Sequence, residues 1–250
     1  MDTKLLKRML IWLPGLDEQE AVAGAIDGIE RSILCAQDLV AKKQAIRQGV
    51  VQQLLTGRSR IPGHCSSWAR LPISEIANFS SGDSINVSRL SGRSTVNPIP
   101  VFGGNGIAGY TSSANIARPT VVIGRVGQKC GNVYKNSGPV WITDNAIYAR
   151  QFKRPVDVQF FALALEASNL NEVRNSNDLP LITQAVLNSV MIPWPESVAE
   201  QRFIADTISG IGEEITGLRR LIAKRWDIRK GMMQQLLTGR TRLPVLGGTA

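Results

Sequence analysis

One seven-residue segment occurs twice in the 250-residue chain, and it limits the possible folds more than any other feature. Residues 52–58 read QQLLTGR, and the same letters return at residues 234–240, a shift of 182 positions (234 minus 52). With this shift and no gap, about 23 of the 51 positions from 12 to 62 are identical, far more than a chance alignment would give. The chain therefore contains one long internal repeat, whose copies are separated by a middle region of different character.

Both copies carry the apolar spacing of a long helix that packs lengthwise on another helix. Apolar residues follow one another in alternating steps of four and three, the heptad pattern of a coiled-coil seam. The seam positions are Val22, Ile26, Ile29, Ile33, Ala36 and Val40 in the first copy and Ile204, Ile208, Ile211, Ile215, Leu218 and Ile222 in the second. We expect helices over residues 15–57 and 196–239, each ended by a glycine. The residues expected to make the helix–helix contacts are Ile26, Ile29, Ile33, Ile208, Ile211 and Ile215.

Charges are distributed lengthwise in both copies. Acidic residues dominate the first half of each expected helix and basic residues the second half. An antiparallel arrangement of the two helices would place opposite charges side by side, so we expect antiparallel pairing within one chain. When the same spacing is continued toward the C-terminal end of each helix, the seam positions are occupied by four charged residues, Lys43, Arg47, Arg225 and Arg229. Either these positions set the register of the pair or each helix leaves its partner there, and the sequence favours neither.

Composition indicates a globular chain without a membrane anchor. Hydrophobic residues make up 43% of the sequence and charged residues 20%. No stretch of about 18 apolar residues is present, and the N-terminal apolar run is too short for a signal peptide. The three cysteines, Cys35, Cys65 and Cys130, lack paired spacing, which favours a reducing cytoplasm over a disulfide framework. Because His64 is the one histidine, we expect no zinc site, and we expect no cofactor.

The middle region contains a long interval without acidic residues. No Asp or Glu occurs between Asp83 and Asp144, and the whole chain has a net charge of +9. Lys and Arg neutralise phosphates, while Arg, Asn and Gln pair with base edges. The interval could be an ordinary solvated surface, but beside the helix repeat we favour contact with DNA. The candidate DNA-binding residues are Arg89, Arg93, Asn105, Tyr110, Arg118, Arg125, Lys129, Asn132 and Lys135.

Short apolar runs separated by Gly, Asn and Pro predict a mixed α+β globule over residues 58–195. We expect a helical turn at residues 73–79, a polar loop at 80–97 and a helix at 156–168. The expected strands are residues 68–72, 99–102, 120–123, 140–142, 146–149 and 187–192.

A glycine-rich stretch at residues 102–109, FGGNGIAG, fits two cofactor-binding motifs. One is the G-x-G-x-x-G of dinucleotide sites, and the other is the F-x-G-x-G that methyltransferases use near S-adenosylmethionine. Both need a helix directly after the glycines, because the helix N-terminus holds the ligand. The following residues, YTSS, are poor helix formers, and no Pro-Pro pair is present for a methyltransferase catalytic motif. We therefore expect tight turns here, with catalytic residues absent.

Several stretches together resemble the specificity (S) subunit of type I restriction–modification enzymes. The first is the helix opening, with Pro14 and Glu18-Gln19 in one copy and IPWP followed by Glu200-Gln201, at residues 192–201, in the other. The second is the helix end LLTGR. The third is the set GGNGIAGY, IGRVG and TDNA at residues 103–110, 123–127 and 143–146. The resemblance implies an α+β fold, in which one mixed α/β target-recognition domain is flanked by two long helices that form an antiparallel coiled coil. Residues 1–14 match the end of the middle region, like the tail of a preceding recognition domain, and 240–250 form a C-terminal tail.

The resemblance also implies a function. The chain would be a non-catalytic subunit that reads one half of a split double-stranded DNA target. Its coiled coil would dock methyltransferase subunits, with restriction subunits and a second copy of the chain as further candidate partners. Two alternatives remain open: an S-adenosylmethionine-dependent methyltransferase that uses residues 102–109, and a coiled-coil scaffold without DNA binding.

Overall fold

The computed structural model describes residues 13–61, 63, 67–172 and 180–243. Trp12, His64, Cys65 and most of the expected N-terminal and C-terminal tails lie outside these ranges. The chain divides into two compact units, one made of Met1–Gln48 with Gly210–Ala250 and the other of Gly49–Ser209. Among the described residues, no helix has the length and apolar character needed to cross a membrane.

Two 39-residue helices correspond to the two copies of the repeat. Helix α1 spans Leu16–Leu54 and helix α5, the last in the chain, spans Val198–Leu236. Gly57 and Gly239 follow them with φ +70 in both cases, and each glycine N–H donates to the carbonyl three residues earlier. Left-handed glycine ends a helix at low steric cost, so the repeated TGR segment stops both helices in the same way.

Within the first unit the helices run antiparallel, as the charge gradient predicted. Arg242 Nη2 lies 2.6 Å from Glu18 Oε2, and Arg229 Nε lies 2.7 Å from Glu30 Oε1. Lys43 forms an ion pair with Glu214. Residue numbers thus fall along α5 as they rise along α1. In the pairs of Glu30 and Glu214, an acid from the first half of one helix contacts a base from the second half of the other, and Arg242 lies just after the end of α5.

The charged seam positions stay in the interface, which decides between the two alternatives left by the sequence. Lys43, Arg47, Arg225 and Arg229 are all half-buried. Arg225 Nη1 donates to the Ser32 carbonyl at 2.7 Å, which is the repeat-equivalent of the Lys43–Glu214 contact. Lys43, Arg225 and Arg229 therefore bond across the pair instead of marking a point where the helices separate. Bonds that differ in chemistry along the seam favour one register over slipped alternatives.

Glu18 is the most buried carboxylate of the first unit, with 4% of its surface exposed. Hydrogen bonds from Arg242, followed by the charge of that guanidinium, lower the pKa of Glu18 despite the opposing effect of desolvation. A lowered pKa means that this contact stabilises the fold above the unfolded value of 4.5 and is lost as the pH falls through the folded value.

The second unit is built on a four-stranded sheet with the strand order β2-β8-β5-β6. These strands are β2 (Ala77–Ser81), β8 (Ala146–Phe152), β5 (Thr120–Gly124) and β6 (Val133–Asn136). All their pairings are antiparallel. Alternate residues of each strand face opposite sides. Val121 and Ile123 therefore pack with helix α3 (Val158–Ala167), while Val122 packs in a second cluster on the other side.

A three-stranded sheet covers that second side. It consists of β3 (Ile99–Gly103), β4 (Gly106–Thr111) and β7 (Trp141–Ile142), in the order β4-β3-β7. Phe102 and Ile142 from this sheet pack with Val122 and Ala146 from the larger one, and the rings of Phe102 and Tyr134 are 5.8 Å apart. The unit therefore has three layers, with the four-stranded sheet between helix α3 and the smaller sheet.

A short ribbon completes the unit beside the ends of the long helices. Strand β1 (Ala69–Pro72) pairs with β9 (Met191–Trp194), and the short helices α2 (Ile73–Ile76) and α4 (Gln184–Ser189) adjoin the ribbon. Trp194 is 1% exposed and makes edge contacts with Phe160 and Phe161. This core also buries three residues of α5, Ile204, Ala205 and Ile208. Ile208, expected at the helix–helix seam, therefore belongs to the core of the globular unit.

The predicted strands at residues 68–72, 99–102, 120–123, 140–142 and 146–149 and the predicted helix at 156–168 match elements of the structure, whereas other predictions in the middle region were wrong. Residues 77–79, predicted as helical, begin strand β2, and residues 187–189, predicted as strand, end helix α4. Strands β4 and β6 were not predicted, because Gly, Ala, Lys and Asn, which make up much of both segments, are depleted in strands. The strands are divided between two sheets and the ribbon.

Candidate nucleic-acid interface

The glycine-rich stretch forms a tight β-hairpin. Strands β3 and β4 are joined by Gly104 and Asn105 alone, and Gly106, at φ +100, begins the return strand. The register shifts between Val101 and Phe102, which bends the hairpin. The prediction of turns is therefore confirmed. Because a strand follows the glycines, the stretch lacks the helix N-terminus that both cofactor motifs require.

The tip of this hairpin lies against the loop that follows β5, and the two segments are in contact through their backbone atoms. A Cβ added to Gly104 would lie 2.4 Å from the Val126 carbonyl oxygen, and one added to Gly124 would lie 2.2 Å from the Gly104 carbonyl oxygen. Gly127, at φ +97, approaches the Asn105 side chain. Glycine is needed at Gly104 and Gly124 because no side chain fits between these segments.

This close approach brings three of the predicted DNA-binding residues to one end of the sheets, called here the loop end. The Lys129 N–H donates to Asn105 Oδ1 at 3.3 Å, which joins the hairpin tip to the loop after β5. Arg125 Nη1 lies 3.3 Å from Ser81 Oγ and 3.5 Å from the Asp144 carbonyl, and the Arg125 N–H donates to the Asn145 carbonyl. Asn105 and Lys129 are exposed, whereas Arg125 is half-buried.

A cleft of about 460 Å³ opens beside the loop end. It combines the polar groups of Ser84, Asn105, Thr143, Asp144 and Asn145 with an apolar wall. The apolar wall consists of Ile85, Val87, Leu90, Ile107, Ala108 and Val126. Val87 and Ile107 are 76% and 53% exposed. An amide, a guanidinium, an ammonium and exposed apolar groups on adjoining loops are the kinds of side chain that distinguish bases in a DNA groove.

Three of the other candidate residues, Lys135, Arg118 and Tyr110, lie away from the loop end. Lys135 pairs with Val121 across β5 and β6, and Arg118 precedes β5, so both lie toward the opposite end of the four-stranded sheet. Tyr110 is half-buried and bridges to Ser91 near the far end of the β3–β4 hairpin. Arg93 is exposed in the loop before β3, and Arg89 closes a short 3-10 helix. The nine candidates therefore do not form one cluster.

Asn132 has a structural role in the turn between β5 and β6. Its carbonyl accepts a hydrogen bond from the Gly124 N–H, and Asn132 Oδ1 lies 3.5 Å from Asn171 Nδ2. Cys130 in the same turn is fully buried, and its Sγ lies 3.1 Å from the Arg125 carbonyl. It is a packed small side chain, and the alternative of a reactive thiol has no support in its burial.

Two exposed cations that the sequence reasoning missed lie on strand β8 and just after it. Arg150 and Lys153 line a second, polar cleft of about 380 Å³ at the edge formed by β2 and β8. Both follow Asp144, so they lie outside the interval without acidic residues. No local pattern marks Arg150, because residues 146–152, AIYARQF, lack a regular alternation of apolar and polar residues.

Within the described ranges, no group of three or more His, Cys, Asp or Glu side chains is arranged to hold a metal ion. Asp83 lies in a polar network instead, where its carboxylate accepts a hydrogen bond from Asn115 Nδ2 at 3.0 Å. Asn115 Nδ2 also donates to the Ile142 carbonyl, and Asn115 Oδ1 accepts from the Ile142 N–H. These polar side chains fasten the loop before β5 to strand β7.

Comparison with known proteins connects this architecture to one family. The family model described as the type I restriction modification DNA specificity domain matches residues 66–224. The specificity subunit of the Escherichia coli type I restriction enzyme EcoprrI is 28% identical over 156 residues. That match covers 61% of this chain and 38% of the Escherichia coli subunit, so the chain spans well under two thirds of this relative.

Solved structures share the fold. The S subunit of a type I restriction–modification system from M. genitalium aligns with a TM-score of 0.68 and 18% identity, over 89% of this chain and 61% of that subunit. The HsdS subunit from Thermoanaerobacter tengcongensis aligns with a TM-score of 0.55 and 18% identity, over 92% of this chain and 60% of that one. At this identity the likeness shows the arrangement of helices and sheets alone.

Proposed function

Since the chain belongs to the type I restriction modification DNA specificity domain family, we propose that it is a non-catalytic DNA sequence-recognition subunit. In this proposal the globular unit reads one half of a split duplex target, and the helix pair docks methyltransferase subunits. Methylation and ATP-dependent cleavage take place in partner subunits, and this chain holds no cofactor. The methyltransferase alternative is disfavoured by the β-hairpin at residues 102–109, and the family favours DNA recognition over a scaffold role.

The loop end is the observation that carries this proposal. Three segments distant in sequence meet there through glycine-dependent backbone contacts, and they present Asn105, Arg125 and Lys129 together. Such rigid support of polar side chains is unnecessary for a solvated surface, whereas base readout requires donors and acceptors at defined positions. The bend of the hairpin and the exposed apolar wall of the cleft give the loop end a shape that can enter a groove.

Charge removal at the predicted cations tests DNA binding. Each of Arg89, Arg93, Arg125, Lys129 and Lys135 that contacts a phosphate should, when changed to Ala, weaken binding to every duplex sequence and flatten the salt dependence by about 1 in slope. If Arg125 reads a base instead, the loss should be ~1–3 kcal/mol and confined to one base position. Fluorescence anisotropy with duplexes at several salt concentrations measures both quantities.

Arg70→Ala is the matched control, because Arg70 is exposed on the β1–β9 ribbon and its loss changes the charge equally. We expect this variant to retain the wild-type salt slope. An affinity that stays at the wild-type level after all five substitutions, measured in the assembled complex, would contradict the DNA-contact assignment.

The outer surface of the helix pair carries apolar positions that the repeat duplicates. Leu39 and Ile46 are 42% and 55% exposed, one heptad apart and directly beside the seam. Their equivalents at a shift of 182, Leu221 and Ile228, are 39% and 44% exposed. Exposed apolar side chains at matching positions of both helices favour two equivalent docking sites for the same kind of partner. We assign these sites to methyltransferase subunits.

Substitution of one duplicated pair at a time should change the stoichiometry of the complex. Leu39→Asp with Ile46→Asp should remove one of two methyltransferase subunits, and Leu221→Asp with Ile228→Asp the other, because an unpaired charge in an apolar interface opposes docking. Native mass spectrometry of the co-expressed complex counts the subunits. Gln37→Asp, at an exposed polar position of the same helix, is the control and should leave two subunits bound. Full stoichiometry in both double variants would place docking elsewhere.

A further inference from the structure

Arg150 occupies a β-bulge at the edge of the four-stranded sheet. Strands β2 and β8 are in register at Asn78–Gln151 and again at Phe79–Ala149, so Arg150 has no partner across the ladder. An extra residue in one strand bends that strand and redirects its side chain away from the regular positions. Among the described residues, the Arg150 guanidinium has no acidic partner, and Arg150 is exposed.

The redirected arginine lines a cleft of about 380 Å³ whose surface is mainly polar. Lys153 adds a second cation, and its Nζ is held 2.7 Å from the Ser74 carbonyl. The remaining polar side chains that line the cleft are Ser74, Asn78, Ser80, Gln151 and Asn188. No Asp or Glu lines it, and the nearby Glu75 carboxylate is already paired with Arg154 at 3.3 Å.

A third cation adjoins the same strand end. Arg118 Nη2 lies 3.4 Å from the carbonyl of Ala149, the residue before the bulge. Arg118 is exposed, and Asn136 Nδ2 donates to its carbonyl at 3.1 Å, which fixes the segment before β5. Arg118 therefore lies at the same end of β8 as Arg150, although it is not among the residues that line the cleft.

We propose that this cleft is a binding site for a phosphodiester of duplex DNA. The site rests on the proposed function, and it adds a backbone contact that is separate from the loop end. Lys and Arg provide charge-assisted donors to phosphate oxygens, and the hydroxyl and amide groups provide further donors at fixed positions. A deep apolar wall like that of the loop-end cleft is absent from the residues that line this cleft, which favours phosphate over base contact.

The spacing of the two clefts along β8 suits one duplex. Asn145 at the loop end and Arg150 at the bulge are five residues apart, which is about 16 Å along an extended strand. The major groove of B-DNA is about 12 Å wide, so loops that enter the groove leave a phosphate backbone within reach of the bulge. The cleft would then position the duplex, while the loop end reads it.

Arg150→Ala and Lys153→Ala, separately and together, test the proposal in the full-length chain. Each substitution should weaken binding to duplexes of unrelated sequence by a similar factor. Each should also lower the slope of log affinity against log salt by about 0.9, and the double variant by about 2. Sequence preference should be unchanged, and thermal unfolding should stay at the wild-type temperature because both side chains are exposed.

Arg70→Ala again controls for the loss of one positive charge. If wild-type protein binds duplexes with the expected salt slope and the double variant has the same slope, the cleft is not a phosphate contact, while the proposed function stands. If the wild-type chain, free and in its complex, shows no salt-dependent duplex binding, the proposed function fails and the site fails with it. Binding of inorganic phosphate that the double variant loses, together with an unchanged salt slope for DNA in that variant, would assign the cleft to a free anion and overturn the DNA assignment.

Discussion

Gly124→Ala is expected to destabilise the globular unit by about 2–3 kcal/mol, because its added methyl group has no space. The new Cβ would lie 2.2 Å from the Gly104 carbonyl oxygen and 2.8 Å from the Lys129 carbonyl oxygen. Both obstacles are backbone atoms, so relief requires the hairpin tip to move away from the loop after β5. Urea unfolding should show a lower midpoint, and duplex affinity should fall even where the protein remains folded.

Gly138→Ala provides the matched control for this substitution. Nothing lies within 4 Å of a Cβ built at Gly138, and its φ is outside the left-handed region. We expect a change within about 0.5 kcal/mol and normal DNA binding, as for other surface substitutions. Equal stability of Gly124→Ala and Gly138→Ala would show that the hairpin tip and the loop are not held together by the close backbone approach.

Glu200→Ala is expected to cost about 2–3 kcal/mol of unfolding free energy, because it leaves two donors without their acceptor. The Glu200 carboxylate is 1% exposed, and it accepts hydrogen bonds from Arg60 Nε at 3.1 Å and from Trp68 Nε1 at 3.2 Å. The Arg60 guanidinium also lies 5.6 Å from the Trp68 ring. One carboxylate therefore joins the start of α5 to the segment between α1 and β1.

The repeat supplies its own control for Glu200. Glu18 is the equivalent residue at a shift of 182, and it pairs with Arg242, the equivalent of Arg60. The Arg242 side chain is 70% exposed, whereas the Arg60 side chain is 27% exposed, and among the described residues no tryptophan donates to Glu18. Glu18→Ala should therefore cost less than Glu200→Ala in the same denaturation assay. Equal costs, or a larger cost for Glu18→Ala, would contradict the stabilising role assigned to burial and to Trp68.

The two long helices and their pairing could be predicted from sequence because their signals are local and repeated. An apolar period of 3.5 residues, a glycine that ends the helix and a lengthwise charge gradient all occur twice. The pairing continues through the charged seam positions, since Lys43, Arg225 and Arg229 each bond to the opposite helix. Ile208 departed from it because the core of the globular unit, which no local pattern describes, covers that turn of α5.

The loop end and the polar cleft lined by Arg150 and Lys153 were decided by tertiary structure. The sequence indicated that the glycines near residue 104 form turns and that Lys and Arg residues are interspersed with Asn and Gln. The spacing of these residues along the chain could not show which of them come into contact. Asn105 and Lys129 come together because Gly104 and Gly124 allow two distant backbones to touch. Arg150 points into a cleft because the pairing of β2 with β8 shifts by one residue. Helical periodicity depends on the residues of one segment and can be read from the sequence. Strand register and close backbone contact depend on how separate segments pack, so only the folded structure shows them.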